Sequence, residues 1–186
     1  MLDYIRDGAE IYARSFAIIR AEARLDAIPP DLEKLAVRMA HASGMVDIVG
    51  DLRFSPGAGA AGRQALAAGA AILVDGDMVR RGITRARLPA DNRVITLDQG
   101  DDIAPWLPHI EGSVTAIGLY PTALTALLET AARPALVLGF PAGFEGAADA
   151  KARLAQSGLP FVIVAGTRGG SAMAAAALNA LAQERE

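Results

Sequence analysis

The sequence predicts a three-layer α/β/α domain with a sheet of about five mainly parallel strands and a long N-terminal helix. From residue 71 onward, short unbroken apolar runs alternate with helical segments, as in a parallel sheet covered on both faces. Hydrophobic residues make up 52% of the 186 residues but aromatic residues only 5%, which favours alanine-rich helices packed closely on a sheet. No linker or internal repeat divides the chain, so we expect one domain over residues 1–186.

The N-terminal part of the chain predicts two helices. An apolar stripe with alternating spacings of four and three residues indicates an amphipathic helix over residues 2–24. Its members are Ile5, Ala9, Tyr12, Phe16, Ile19 and Ala23. After Pro29-Pro30 a second helix is expected to begin with Asp31 as its N-cap and to end at Gly44 as its C′ residue.

The remaining elements alternate along the chain. Asp51–Pro56 predicts a short strand that ends at the proline, and Ala58–Ala68 predicts a helix stopped by Gly69. The apolar runs expected to form the parallel strands are Ala71–Val74, Arg93–Leu97, Ser113–Ile117, Ala135–Leu138 and Pro160–Val164. The helices expected between and after them cover residues 77–81, 102–108, 121–132, 146–156 and 170–183.

One face of the second helix carries candidate chemistry. Lys34, Arg38 and His41 recur at i, i+4 and i+7, nearly opposite the apolar face of that helix. The helix C-terminus favours an imidazolium at His41 and Arg38 disfavours it, so this histidine is placed to exchange a proton near neutral pH. An exposed surface histidine without function fits the same pattern. Arg14 and Ser15 of the first helix are polar groups that either contact a ligand or face solvent.

The turns after the strands form a second candidate region, because open α/β sheets bind ligands at the carboxyl ends of their strands. The best candidate for holding a carboxylate is Gly169-Gly170-Ser171 at the start of the last helix, with Arg168 beside it. A tight turn between strand and helix needs the same glycines, so both interpretations stay open. Asp75 and Asp77 indicate a cation site only weakly, and Asp77 is expected first as a helix N-cap.

Composition disfavours several classes of protein. The net charge of −3 gives no overall attraction to nucleic acid or to an anionic membrane, and no apolar run is long enough to predict a membrane span. With no cysteine, and with His41 and His109 as the only histidines, we expect no disulfide, no thiolate nucleophile and no metal centre. Neither a Walker P-loop nor a G-x-G-x-x-G motif occurs, which disfavours nucleotide binding. A cytoplasmic protein is expected.

Ten segments, spread in order over nearly the whole chain, match motifs of one enzyme family. The first five are Tyr4–Gly8, Ile11–Arg20, Val37–Ala42, Phe54–Pro56 and Ile72–Asp75. The last five are Gly82–Pro89, Pro121–Leu124, Gly139–Phe144, Gly169–Met173 and Ala177–Asn179. Through these segments the chain resembles the precorrin-8X methylmutases, the precorrin isomerases of corrin (vitamin B12) biosynthesis.

The resemblance implies a flavodoxin-like fold, a homodimer and an intramolecular methyl transfer. The methyl group moves from C-11 to C-12 of precorrin-8X to give hydrogenobyrinate, or undergoes the same shift on cobalt-precorrin-8. The resemblance further implies His41 as the catalytic proton donor or acceptor, with Ser15 and Arg38 at substrate-binding positions. Thr84 and Arg85 match a Thr-Arg-Ala-Arg segment and are expected to line the pocket.

The implied chemistry agrees with the residues present. A rearrangement within one molecule needs a positioned proton and donors for the acetate and propionate groups of a polycarboxylate tetrapyrrole, so no cofactor and no metal are expected. Arg14 and the backbone at Gly169, Gly170 and Ser171 are suitable further donors.

Two features depart from the family pattern. Only the 15 residues from Asp98 to Gly112 connect two of the predicted strands, where relatives have a longer segment that covers the substrate. Relatives read Gly-Asn-Ala-Pro-Thr-Ala-Leu where this chain has Leu119 and Tyr120 and so loses an amide. The alternative function is therefore a non-catalytic tetrapyrrole-binding relative with a shortened substrate lid. A phosphate- or nucleotide-binding flavodoxin-like module is a distant third.

The short connection carries two further expectations. Its acidic part, Asp98–Asp102, is expected to lie away from a polycarboxylate ligand because like charges repel. Trp106, the only tryptophan, is expected to pack in the core rather than to form a platform for the macrocycle.

Overall fold

A computed structural model describes residues 5–97 and 102–183, in which one six-stranded sheet lies between two layers of helices. The strands are β1 (Leu52–Phe54), β2 (Ile72–Val74), β3 (Val94–Thr96), β4 (Val114–Ile117), β5 (Leu136–Gly139) and β6 (Phe161–Val164). The helices are α1 (Gly8–Glu22), α2 (Pro30–Ser43), α3 (Ala58–Ala67), α4 (Asp77–Gly82), α5 (Pro121–Leu128), α6 (Ala147–Gln156) and α7 (Ser171–Ala182). The predicted three-layer α/β/α class is confirmed.

The strand order of the sheet is β1-β6-β5-β4-β2-β3. Strands β2 to β6 run parallel to one another, whereas β1 pairs antiparallel with β6 and places Leu52 opposite Val164. The parallel strands, in the order β3-β2-β4-β5-β6, have the arrangement of flavodoxin-like folds. The short strand predicted at Asp51–Pro56 is β1, which adds an antiparallel edge to the five predicted parallel strands. The strand order reverses between β2 and β4.

Each face of the sheet covers its own hydrophobic core. Alternate strand residues point to opposite faces, so Ile72 and Val74 contact the layer of α1, α2, α3, α4 and α7, while Leu73 contacts the layer of α5 and α6. In the first layer α7 contacts α2, α3 and α4 as well as β4 and β5, and most of its residues are buried. Its alanines allow this, because small side chains let three helices approach one another closely.

Two predicted helix starts differ from the structure. Helix α1 begins at Gly8, where the Asp7 side chain accepts a hydrogen bond from the Glu10 N–H at 2.8 Å, and residues 2–4 of the prediction lie outside the described residues. Asp31 as the N-cap of α2 is wrong, since Pro29 occupies that position. The Asp31 carboxylate instead accepts from the Ala60 N–H at 3.0 Å, which ties α2 to α3. A tertiary contact has replaced the local cap.

The prediction of a helix over residues 102–108 is also wrong. This segment forms turns followed by a 3₁₀ helix at Leu107–His109. Pro105 and Pro108 lack the N–H groups that an α-helix would need there. Trp106 is fully buried, so its predicted packing role is confirmed, while residues 98–101 of the acidic segment lie outside the described residues.

Candidate functional site

His41 lies in the last turn of α2 and contacts two aromatic rings of α1. Its ring centroid is 5.1 Å from that of Tyr12 and 5.2 Å from that of Phe16, which it meets edge to face at 76°. Tyr12 and Phe16 are one turn apart on α1, so one face of α1 holds the imidazole from two positions. His41 is half-buried rather than fully exposed. Gly44, three residues after His41, ends the helix at φ 68°, as predicted.

A cavity of about 320 Å³ opens beside the same two aromatic rings. It is lined by Ala9, Tyr12, Ala13, Phe16, Arg38 and Arg87. The Arg38 guanidinium carbon lies 5.4 Å from the Phe16 ring centroid, within reach of a cation–π interaction. Two guanidinium groups and an apolar floor suit an anionic ligand with a hydrophobic body.

Arg87 is a charged lining residue that was not predicted from the sequence. It ends the 3₁₀ helix Arg85–Arg87, whereas Thr84 and Arg85, the two residues expected in the pocket, are exposed and do not line this cavity. The signal was present, because the Thr-Arg-Ala-Arg segment contains a second arginine. The tight turn that follows Thr84 decides whether Arg85 or Arg87 faces the cavity, and the sequence does not specify that turn.

The two expected donors on α1 differ in their surroundings. Ser15 is half-buried and immediately precedes Phe16. Arg14 donates to the Glu10 carboxylate at 2.7 Å, and its side chain is 64% exposed. Neither Ser15 nor Arg14 is among the residues that line the cavity.

The glycine-rich start of α7 is packed against the loop after β5. A Cβ on Gly169 would lie 2.2 Å from the Phe140 carbonyl oxygen, and the Gly170 N–H donates to that same oxygen at 2.7 Å. Close packing therefore explains why residue 169 is a glycine, which agrees with the interpretation that these glycines serve a tight turn. Arg168 was expected beside a ligand carboxylate, but its guanidinium pairs with Asp47 and Asp51 of the chain itself.

Lys151 lies beneath this loop. Its ammonium donates to the Arg168 carbonyl at 2.7 Å, and the side chain is fully buried in α6. Burial lowers the pKa of Lys151 to about 8, against the opposing attraction of Asp51. Lys151 thus anchors the backbone that leads into α7.

The crevice between β2 and β4 is occupied at its base by a carboxylate of the chain. Asp75, fully buried at the end of β2, accepts from the N–H groups of Gly118, Leu119 and Tyr120, at 2.6 Å and 2.7 Å for the last two. Burial raises the pKa of Asp75 above its usual value, and these N–H bonds oppose the rise. Because Asp75 already accepts from the N–H groups that precede α5, these groups are not available to bind a phosphate.

Asp77 is not the N-cap of α4, because Gly76 occupies that position. Its carboxylate pairs with Arg80 and Arg81, each at 2.6 Å, which lowers its pKa. Over residues 5–97 and 102–183, no group of three acidic or histidine side chains is placed to hold a metal ion. Within the same ranges, no helix is both long and apolar enough to cross a membrane.

Comparison with known proteins identifies the family. The family model described as precorrin-8X methylmutase matches residues 10–184. The chain belongs to the precorrin-8X methylmutase family. Family members are isomerases of cobalamin biosynthesis, so the predicted family, enzyme class and biosynthetic role are confirmed.

Individual precorrin-8X methylmutases are similar over the full chain. The enzyme of Pseudomonas aeruginosa is 62% identical over 100% of both chains, and that of a Sinorhizobium species is 50% identical over 97% of each. A cobalt-precorrin-8 methylmutase of Salmonella typhimurium is 32% identical over 97% of both chains. The crystal structure of the precorrin-8X methylmutase from Thermus thermophilus superposes with a TM-score of 0.85 at 35% identity, over 92% of this chain and 95% of that one.

Proposed function

We propose that this methylmutase moves the methyl group from C-11 to C-12 of cobalt-free precorrin-8X, with His41 as the group that exchanges the proton. The observation that carries the proposal is the position of His41 against Tyr12 and Phe16, the two rings that also line the cavity of Arg38. A proton donor, an apolar surface and a carboxylate-binding cation therefore meet within one turn of α1 and one turn of α2.

The reaction requires little from the protein beyond a proton and orientation. His41 as the imidazolium would donate a proton to the conjugated macrocycle, the methyl group would migrate between adjacent ring carbons, and the neutral imidazole would take a proton back. Product and substrate then have the same atoms, as an isomerisation requires. Arg38 would hold a carboxylate of the macrocycle, and Ser15 is proposed as a further hydrogen-bond partner, so that the reacting carbons stay near the imidazole.

Sequence similarity favours the cobalt-free substrate. The two relatives at 62% and 50% identity are precorrin-8X methylmutases, whereas the cobalt-precorrin-8 methylmutase of Salmonella typhimurium reaches 32%. A change of substrate is expected to alter contacts around the macrocycle, so the higher identity supports the same substrate here. Parallel assays with precorrin-8X and cobalt-precorrin-8 test this, and faster turnover of the cobalt form would overturn it.

We further propose a homodimer with twofold symmetry. Ile11 and Ile18 are seven residues apart on α1 and are 43% and 55% exposed, so they form an apolar edge on the outer side of this helix. Such an edge suits contact with a second copy of the same surface.

Replacement of His41 by alanine tests the catalytic role. General acid–base catalysis contributes about 10²–10⁴-fold, so His41→Ala should lower kcat by that factor while the corrin product still binds. The measurement is conversion of precorrin-8X to the corrin chromophore, followed by absorbance. His109→Ala is the matched control, because it removes the other histidine, which lies in a 3₁₀ helix among the residues that cover the opposite face of the sheet. A His41→Ala rate within twofold of wild type would exclude the assignment.

The same assay separates the alternative function. The alignment with the Pseudomonas aeruginosa enzyme runs over 208 positions, more than the 186 residues of this chain, so some positions of that alignment have no counterpart here. A macrocycle spectrum that shows binding without conversion by the wild-type chain would favour a tetrapyrrole-binding protein over an enzyme.

A further inference from the structure

We propose that Arg87 binds a carboxylate of the substrate, next to Arg38, in the cavity floored by Tyr12 and Phe16. The inference rests on the proposed function, because it takes a polycarboxylate macrocycle as the ligand. It adds a binding residue that neither the sequence motifs nor their implied roles had placed in the pocket.

Arg87 brings a positive charge to the cavity that no described residue of the chain neutralises. Arg87 is half-buried, and among residues 5–97 and 102–183 its guanidinium has no hydrogen-bonded or ion-paired protein partner. None of the lining residues is acidic. Elsewhere in the structure, Arg14 and Arg168 each pair with carboxylates of the chain. A half-buried guanidinium with five N–H donors is costly without acceptors, and a ligand carboxylate supplies two of them in the matching geometry.

The size of the cavity indicates which part of the ligand it takes. Its volume of about 320 Å³ is at the lower end of the range for small-molecule pockets, which is about 300–1,000 Å³. A whole tetrapyrrole does not fit, whereas one acetate or propionate arm and the edge of its pyrrole ring do. The rings of Tyr12 and Phe16 would contact the ring edge, and the two guanidinium groups would bind the carboxylate at the end of the arm.

The backbone that carries Arg87 is anchored in the core by Asn179 of α7. The Asn179 side-chain oxygen accepts from the Thr84 N–H at 2.9 Å, and its amide nitrogen donates to the Gly82 carbonyl at 2.8 Å. The 3₁₀ helix that ends at Arg87 follows directly, closed by a hydrogen bond from the Arg87 N–H to the Thr84 carbonyl at 2.8 Å. Asn179 is therefore a positioning residue, which holds Arg87 at the cavity before the ligand arrives and so reduces the ordering cost of binding.

The test compares product binding by Arg87→Gln, Arg87→Lys and a control. Hydrogenobyrinate is titrated into the full-length protein and binding is followed by absorbance at fixed ionic strength. Arg87→Gln should weaken binding by about 10- to 100-fold, as expected for the loss of one charge-assisted interaction. Arg87→Lys should recover part of the loss, because it keeps the charge but not the fork. Arg153→Gln, which removes an exposed arginine from α6 on the opposite face, should stay within twofold of wild type.

Steady-state kinetics separate this role from a structural one. Loss of a contact that is present in both the bound substrate and the transition state raises KM more than it lowers kcat, so Arg87→Gln should show that split with an unchanged circular dichroism spectrum. Hydrogenobyrinate with one carboxylate converted to an amide provides the second measurement. If the amide replaces the carboxylate that Arg87 contacts, it should weaken binding to the wild-type protein as much as Arg87→Gln weakens binding of the unmodified product. Binding of that amide by Arg87→Gln should then be only slightly weaker than either change alone gives.

Two results would overturn the proposal. One is product binding by Arg87→Gln within twofold of wild type. The other is a loss confined to dimerisation in sedimentation velocity, which would mean that a second copy of the chain supplies the carboxylate. Neither result bears on His41, whose role is decided by turnover, so failure of this inference and failure of the proposed function are distinguishable.

Discussion

Replacement of Asp75 by alanine should destabilise the protein strongly, whereas the same change at Asp77, two residues along, should not. In Asp75→Ala, the N–H groups of Gly118, Leu119 and Tyr120 lose their acceptor. A buried donor left without a partner costs about 1–3 kcal/mol, so three would cost about 3–9 kcal/mol. Two of the three are only partly buried, and removal of the carboxylate also removes its own desolvation, the effect that raises the pKa of Asp75.

These corrections place the expected loss for Asp75→Ala near 3 kcal/mol, a large part of the roughly 5–15 kcal/mol by which most domains are stable. Asp75→Asn keeps an oxygen that can accept from the same N–H groups and should cost about 1 kcal/mol, because only the charge assistance is lost. Asp77→Ala removes an exposed carboxylate that pairs with Arg80 and Arg81, and such surface pairs contribute little.

Urea unfolding followed by circular dichroism measures all three variants, with the free energy of unfolding taken by linear extrapolation. The expected order of destabilisation is Asp75→Ala, then Asp75→Asn, then Asp77→Ala. If Asp75→Ala lost less free energy of unfolding than Asp77→Ala, the N–H groups before α5 would have found other acceptors, and Asp75 would not be needed to satisfy them.

Three further outcomes follow from the structure. The pKa of Lys151 lies near 8 in the folded protein and near 10.5 when unfolded, so the unfolded chain binds more protons between these pH values. The free energy of unfolding of the wild type should therefore rise from about pH 8 to 10.5 relative to that of Lys151→Met. The same pH dependence in both proteins would contradict this. Asn179→Ala should lower the melting temperature and raise KM, because the clamp on Gly82 and Thr84 is lost; a lower melting temperature with unchanged KM would limit Asn179 to a structural role. Ile18→Arg should shift the protein to a monomer in light scattering at micromolar concentration, and an unchanged dimer would place the interface elsewhere.

The strands were the most predictable part of the fold. All five apolar runs became parallel strands. Four of these strands are fully buried, which requires an unbroken apolar sequence, while β3 lies at the edge of the sheet and is partly buried. The wrong helix at 102–108 shows the limit of this reasoning. Its apolar spacing favoured a helix, but two prolines outweighed the spacing.

Capping residues were predicted less well for a different reason. Asp31 and Asp77 both occur at helix starts, where an aspartate usually caps the first turn. Asp31 instead binds the first turn of α3, and Asp77 binds two arginines one turn further along its own helix. Local sequence gives the position of such a residue, but its partner depends on which other groups the fold brings within reach.

The residues of the candidate site likewise divide into those that local sequence predicts and those that depend on tertiary contacts. His41 and Arg38 could be selected from spacing on one helix and from family resemblance, and the inward stripe of α1 already contained Tyr12 and Phe16. The contact between this stripe and His41 depends on how α1 packs against α2, which the sequence of neither helix specifies. Arg87 lies still further from prediction, because its place in the cavity depends on Asn179, more than ninety residues later in the chain.

The central position of α7 has a consequence for how the protein is made. Residues 171–182 leave the ribosome after all six strands, yet they lie between α2, α3 and α4 and against β4 and β5. Until they emerge, the parts of β4 and β5 that α7 covers stay exposed, and α2, α3 and α4 lack the helix that packs against all three. Contacts so distant in sequence form slowly, and exposed apolar surface on a partial chain attracts other chains. Synthesis of this protein should therefore depend on chaperones until α7 has emerged, and stalling just before Ser171 should yield aggregate rather than a folded fragment.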